Sequence, residues 1–371
     1  MSAAVVPFLD LRAASRELEA EQRAAIERVV ASGWYVLGPE VERFEHAFAE
    51  HAGVEHAIGV GNGLDALRLT LEALGIGAGD DVIVPSHTFV ATWLAVAATG
   101  ARPVPVEPAS HPFLIDAAAV TAAITPRTAA IVPVHLYGEP ADLPSLEDLA
   151  ARHGLALVAD AAQAHGARVG DRTAAAHGDA ATWSFYPAKN LGALGDGGAV
   201  TTNDAALAAR LRRLRNYGSD VKYVHVDAGV NSRLDEVQAA VLGVRLAVLE
   251  TWNDRRRRIA ARYAAGLSGL GLELPAPAGD HVWHLYVVRS ADRDGLAGAL
   301  RDAGIGTLVH YPIPCHRQLA FAGNDVAGLE LPAATRLARE VLSFPIGPHL
   351  DDAAVGRVID AVAAATTARA A

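Results

Sequence analysis

The chain has 371 residues, of which 51% are hydrophobic and 20% charged; this excludes a disordered polymer and supplies ample material for a core. Its net charge of −10 argues against a general nucleic-acid binder, and no run approaches the ~18 apolar residues of a membrane span. A single cysteine, Cys315, allows no internal disulfide and no Cys-built zinc or iron–sulfur site, and residues 1–10 lack a signal-peptide pattern, so a reducing cytoplasm is the expected compartment.

From residue 57 to 202, short apolar runs alternate with helical patterns. Strands are predicted at 57–60, 82–84, 104–106, 130–134, 156–160, 181–185 and 199–201. Several are apolar throughout, as strands buried on both faces are. Helical patterns lie between them at 64–74, 89–98, 144–153 and 204–216. The alternation predicts an α/β fold with a mostly parallel seven-stranded sheet flanked by helices. A helical stretch from 232 through 249 to 267 then leaves the sheet region. The run Arg255-Arg256-Arg257-Arg258 within it reads as a solvated or subunit-facing helix surface. Further on, a strand at 283–288, a helix at 296–303, a segment at 306–310 and helical patterns at 332–342 and 351–363 suggest a small α+β domain. The expected division is a large domain over 1–250 and a small C-terminal domain over 251–371, with a Pro- and Gly-rich loop at 274–279.

Ligands of such sheets bind at strand ends. The first end is Gly59-Val60-Gly61-Asn62-Gly63-Leu64. Glycine lets the backbone approach a ligand, and the N–H groups of a helix start favour an anion. Leu64 takes the third glycine position of the dinucleotide fingerprint, and the Walker lysine is missing. The same turn would also serve as a plain tight turn. The second end delivers Asp160 from an apolar strand. A carboxylate there is costly unless it meets a cation or several donors, although the residue would also serve as an N-cap. The third end is Ser184-Phe185-Tyr186-Pro187-Ala188-Lys189. Only Lys189 and Lys222 are lysines among the 32 basic residues; the other 30 are arginines. Codon usage rich in Arg and Ala explains the scarcity, but arginine cannot form an imine. A lysine retained just after a buried strand is therefore informative.

Together the three ends supply an anion-binding helix start, a carboxylate able to pair with a protonated pyridine nitrogen, and a Schiff-base lysine. Pyridoxal 5′-phosphate needs that set. A metal enzyme would have to use His281 and His284, or His310 and His316, and neither pair has an obvious carboxylate companion. No metal site is expected.

The ordered motifs resemble the DegT/DnrJ/EryC1/StrS family of sugar-nucleotide aminotransferases, from about Pro7 to the C-terminus. The matching stretches include 59–67, Val84-Pro85-Ser86-His87-Thr88-Phe89, Pro133-Val134-His135-Leu136-Tyr137-Gly138, 160–166, 184–198, Arg215-Asn216-Tyr217-Gly218, 231–236 and His310-Tyr311-Pro312. The resemblance implies a fold type I pyridoxal-phosphate enzyme. It implies that Lys189 forms the Schiff base and Asp160 pairs with the pyridine nitrogen. Gln163 would bond the ring hydroxyl and Phe89 would stack on the ring. Gly63 and Leu64, through backbone N–H groups, and Ser184 would hold the phosphate. Asn231 would reach that phosphate from a neighbouring subunit, which implies a homodimer with shared active sites. Tyr186, His310 and Tyr311, with Lys222 and Tyr223 from the partner, match positions lining the sugar-nucleotide site. Core packing for Phe89, a structural role for His310 and surface packing for Tyr223 are the plainer readings.

Many members have Thr where this chain has Leu64. Leucine there, and Lys222-Tyr223, resemble the subset acting on 3-keto sugars. The resemblance thus favours transfer of an amino group from L-glutamate to C-3 of a dTDP-3-keto-6-deoxyhexose, in aminosugar biosynthesis for an antibiotic or a cell-surface glycan. A 4-keto-sugar aminotransferase and a non-catalytic regulatory protein on the same fold stay open. Lys189 and the single cysteine count against the lysine-less and iron–sulfur dehydratases of the family. The residue that binds the glutamate carboxylate is not identifiable among 30 arginines.

Overall fold

The computed structural model describes residues 5–109, 113–277 and 279–370. Residues 1–4 of the N-terminal segment and Ala278 of the 274–279 loop lie outside the described residues. Three helices lead into the sheet: Leu11–Glu17, Glu19–Ser32 and Pro39–Ala52. Sequence patterning had not marked them. Asp10 starts the first by accepting hydrogen bonds from Arg12 N and Ala13 N at 2.9 and 3.2 Å.

All seven predicted strands form one sheet: β1 (His56–Val60), β2 (Asp81–Pro85), β3 (Arg102–Val106), β4 (Thr128–Ile131), β5 (Ala156–Asp160), β6 (Ala180–Ser184) and β7 (Gly198–Thr202). Their spatial order is β1-β7-β6-β5-β4-β2-β3. Four pairings are parallel, while β7 runs antiparallel to both of its neighbours. Two successive reversals restore direction, so β1 and β6 point the same way. The C-terminal ends of β1, β5 and β6 therefore share one sheet edge. Val82, Ile83, Val84, Val158 and Val200 are fully buried, as the continuous apolar runs require. Helices Gly63–Ala73, Val90–Ala98 and Leu143–His153 connect strands of the sheet, and Ala205–Leu214 follows the last of them.

Helices Glu236–Leu246 and Leu249–Leu267 lead away from the sheet. A second, antiparallel pair follows, β8 (Tyr286–Arg289) with β9 (Val341–Phe344). Ile259, Tyr263, Tyr286, Leu300, Phe344 and Val358 pack around it in one core, joined by Val6 from the N-terminal segment. Two expectations are corrected here. The helix expected at 332–342 ends at Glu340, because Val341–Phe344 pairs with β8 instead. The 306–310 segment contributes a single bridge, Leu308 to Ser343, rather than a regular element. No described helix is long and apolar enough to cross a membrane.

Candidate active site

The shared sheet edge opens into a cavity of about 410 Å³. Gly63, Leu64, Phe89, Asp160, Gln163, Ser184, Tyr186, Lys189, His310 and Tyr311 all line it. Ten of the residues singled out from sequence thus converge, from segments spread across some 250 positions.

At one wall the chain leaves β1 and enters helix Gly63–Ala73. Asn62 caps the helix, accepting from Asp65 N at 2.8 Å. Ser232 Oγ donates to Asp65 Oδ2 at 2.7 Å and Asn62 Nδ2 donates to it at 3.1 Å, which fixes the turn. The N–H groups of Gly63 and Leu64 lie in the first turn, where no intrahelical acceptor exists, at the positive end of the helix dipole. A Cβ on Gly63 would lie 2.7 Å from Ser184 Cβ, so glycine alone lets the helix start meet the end of β6. Ser184 Oγ accepts from Tyr186 N at 3.3 Å and keeps its own hydrogen to donate. The arrangement suits a phosphate monoester.

Asp160 ends β5 beside the neighbouring strand, paired with Thr182. Thr92 Oγ1 donates to its Oδ2 at 2.9 Å and Ala162 N donates to its Oδ1 at 3.2 Å. Burial raises its pKa above the usual carboxylate value, against the pull of those two donors and the Lys189 charge.

Lys189 stands in the loop after β6. Its N–H bonds Tyr186 O at 2.8 Å, closing a turn. A Cβ on Gly192 would lie 2.4 Å from Pro187 O, so the loop can fold back only through glycine there. Gln238 Oε1 accepts from Leu194 N at 2.8 Å. Buried Arg245 donates to Gly192 O at 2.6 Å, and its other terminal nitrogen reaches Gln22 Oε1 at 3.1 Å and Ser15 Oγ at 3.3 Å. The loop is therefore tied both to helix Glu236–Leu246 and to the first two helices, through Ser15 and Gln22. Burial lowers the Lys189 amine to about 8, and the Asp160 carboxylate opposes that shift. A lysine with a substantial neutral fraction near pH 8 is a nucleophile and a proton carrier.

Gln163 Oε1 accepts from Tyr137 N, and its Nε2 donates to Tyr311 Oη at 3.0 Å. One amide hydrogen remains for the cavity. The Phe89 and Tyr311 rings lie 5.4 Å apart between centroids. His310 Nδ1 meets Ser343 Oγ at 2.7 Å, and burial with the nearby Lys189 charge lowers its pKa to about 4. Tyr137 Oη donates to the His310 carbonyl and meets His87 Nε2 at 2.8 Å.

The model of the DegT/DnrJ/EryC1/StrS aminotransferase family matches residues 16–363. The chain belongs to this family. A dTDP-3-amino-3,4,6-trideoxy-alpha-D-glucose transaminase of Streptomyces venezuelae is 59% identical over 361 residues, covering 96% of this chain and 95% of that protein. The crystal structure of S. venezuelae DesV in complex with a ketimine intermediate is 57% identical, with a TM-score of 0.96 over 98% of this chain and 99% of that one. NtdA of Bacillus subtilis, solved with bound cofactor PMP, is 32% identical, with a TM-score of 0.92 over 99% of this chain and 87% of that one.

Three residues that the family resemblance singled out do not line this chain's own cavity. Asn231 is exposed and bridges to Asn216. Lys222 Nζ sits 5.2 Å from the Tyr223 ring centroid, and Tyr223 is 83% exposed. All three lie on the surface around the short ribbon Ser219–Val221 and Val224–His225. Conversely, Thr92, Asp196 and His284 belong to the site or touch its carboxylate, and sequence reasoning gave none of them a site role. Thr92 carries no motif; only its place in the helix after β2 aims it at Asp160.

Proposed function

We propose that this cavity binds pyridoxal 5′-phosphate and transfers an amino group from L-glutamate to a keto-deoxyhexose carried on a nucleoside diphosphate. The carrying observation is the pair Lys189 and Asp160, an amine with a depressed pKa and a donor-held carboxylate on one cavity wall at a sheet edge. The residues suit the cofactor: the space kept clear by Gly63 suits its phosphate, Asp160 its pyridine nitrogen, the spare Gln163 hydrogen its ring hydroxyl, and Phe89 one ring face. When bound, the cofactor accepts the electron pair released at the donor's α carbon.

The chain's residues then act as follows. Lys189 Nζ takes the α proton of glutamate in the first half-reaction and delivers a proton to the sugar carbon in the second. Asp160 holds its negative charge against the pyridine nitrogen and keeps that nitrogen protonated. Thr92 and Ala162 N keep the carboxylate oriented. Tyr186, His310 and Tyr311 shape the sugar side. The reacting carbon is C-3 of a dTDP-linked 6-deoxyhexose, in keeping with the 3-amino sugar in the name of the S. venezuelae relative and with Leu64 on the wall. The pathway is aminosugar biosynthesis, as for an antibiotic.

The active unit in this reading is a cytoplasmic homodimer. Trp34 and Tyr35, 58% and 54% exposed, and Tyr223 give a second copy an aromatic surface to cover. Asn231, Lys222 and Tyr223 would enter the partner's cavity from there. The division into 1–250 and 251–371 is likewise supported by the separate core around Tyr286 and Phe344.

The test is direct. Protein mixed with the cofactor and glutamate is followed by visible absorbance. The lysine-bound cofactor band should appear, then vanish with release of 2-oxoglutarate. Lys189→Ala that still develops the band overturns the proposal. The 3-keto and 4-keto sugar nucleotides, compared as amine acceptors, report the regiochemistry.

A further inference from the structure

Two main-chain carbonyls set the orientation of a buried amide pair behind the lysine loop. Asn253 Nδ2 donates to His165 O at 2.9 Å, so Asn253 Oδ1 is the end turned toward Asn190. It accepts from Asn190 Nδ2 at 2.9 Å, and the same Nδ2 donates to Val282 O at 2.8 Å. A carbonyl cannot donate, so each amide has a single orientation. The atom of Asn190 that lies 3.2 Å from His284 Nδ1 is therefore its oxygen. An amide oxygen only accepts. Nδ1 of His284 must carry the hydrogen, which leaves Nε2 as a bare lone pair.

The amide pair is sealed, with Asn253 0% and Asn190 3% exposed. Burial also holds the His284 imidazole well below its usual range, so it stays neutral. The Nδ1 edge of the ring is turned into protein. The opposite edge, with Nε2, faces the cavity that His284 shares with Lys189 and His310. Much of the remaining wall is apolar, with Leu64, Leu67, Ala91, Val134 and Ala188. A fixed acceptor in such a wall calls for a donor on the ligand. The two substrates differ here: glutamate brings carboxylates, which only accept, and an amino group that is committed to the transfer itself, whereas the ketosugar brings free hydroxyls.

We infer that His284 Nε2 accepts a hydrogen bond from a ring hydroxyl of the ketosugar, with Asn190 as the positioning residue that fixes its tautomer. This rests on the aminotransferase reading above. It makes His284 a specificity residue of the second half-reaction.

The experiment measures the two half-reactions separately on the holoenzyme. His284→Asn keeps a donor near Asn190 and deletes the cavity-facing acceptor. It should lower kcat/KM for the ketosugar by about 10–100-fold, mainly through KM, without a matching loss in the glutamate half-reaction. His284→Gln returns an acceptor near the Nε2 position and should recover most of that loss. Equal losses in both halves, an unaffected sugar half, or a Gln variant no better than Asn each overturn the inference. If the variants do not fold, wild type is tested with ketosugars deoxygenated one hydroxyl at a time. At least one must lose about 10-fold or more, and none doing so overturns it. A wild type that lacks even the glutamate half-reaction sinks the aminotransferase reading itself, so the two failures are distinct.

Discussion

Thr92 Oγ1 donates to Asp160 Oδ2 at 2.9 Å across 68 residues of sequence. The bond joins the helix after β2 to the end of β5, and it opposes the effect of burial on the carboxyl. Thr92→Val removes the donor and keeps the shape. A hydrogen bond to a charged group contributes about 1.5–3 kcal/mol, so kcat should fall roughly 10-fold to 100-fold, with the fold intact. Asp160→Asn removes the charge itself and should cost at least about 100-fold. Steady-state kinetics with circular dichroism checks both; a Thr92→Val enzyme at full activity would show that the bond does not tune the carboxylate.

Lys189 sets a pH dependence whose sign follows from burial. Its pKa is lowered to about 8, below the ordinary lysine value. Below that pH the amine is protonated and cannot attack a carbonyl. The rate of cofactor capture by the apoprotein should therefore rise about tenfold per pH unit up to pH 8 and level off above it. Stopped-flow absorbance between pH 6 and 10 reads this directly. A rate still climbing to pH 10 contradicts the shift.

Two glycine substitutions should move in opposite directions. A Cβ on Gly63 would lie 2.7 Å from Ser184 Cβ and 3.2 Å from its Cα, so Gly63→Ala pushes the helix start off the end of β6. It should destabilise by about 1–3 kcal/mol and weaken cofactor binding more than tenfold. Gly356 lies inside helix Asp352–Ala370 with nothing within 4 Å of its Cβ position. Gly356→Ala should stabilise by about 0.5–1 kcal/mol. Thermal melts and cofactor titration separate the two.

A shared active site predicts complementation between inactive copies. Lys189→Ala and Asn231→Ala chains, mixed and reassorted, form a hybrid dimer with one intact site and one doubly damaged site. Random pairing makes about a quarter of all sites intact. Activity should recover toward that fraction when the two proteins are combined. Mixing without recovery would mean that Asn231 serves its own chain or no site at all.

The sheet was legible because most strands carry their own apolar run, and burial on both faces, as in Asp81–Pro85, leaves no other way to satisfy it. β9 was not legible. Val341-Leu342-Ser343-Phe344 has no period of its own, and what makes it a strand is Tyr286–Arg289, more than fifty residues earlier. Helix Glu19–Ser32 escaped for a related reason: it buries only Gln22, Ala25 and Val29, too few to mark a face, whereas Pro39–Ala52 does carry one in Val41, Phe44, Phe48 and Ala52. In the site, residues at strand-to-helix turns announce themselves, since glycine, a strand-end acid and a lone lysine are local signals. Thr92 and His284 do not, because their roles lie in partners 68 and 94 residues away. The resemblance to a family named surface residues such as Tyr223 that no geometry within one chain would suggest.

Arg245 joins carbonyls of the lysine loop to Gln22 and Ser15. The opening helices are thereby coupled to the chemistry although they touch none of the cavity. A chimera that exchanges residues 1–35 with those of a relative must carry acceptors for this guanidinium, or the loop loses its backstop while the sheet stays whole. Protease nicking between Ser32 and Pro39 would for the same reason slow turnover well before it unfolded the protein.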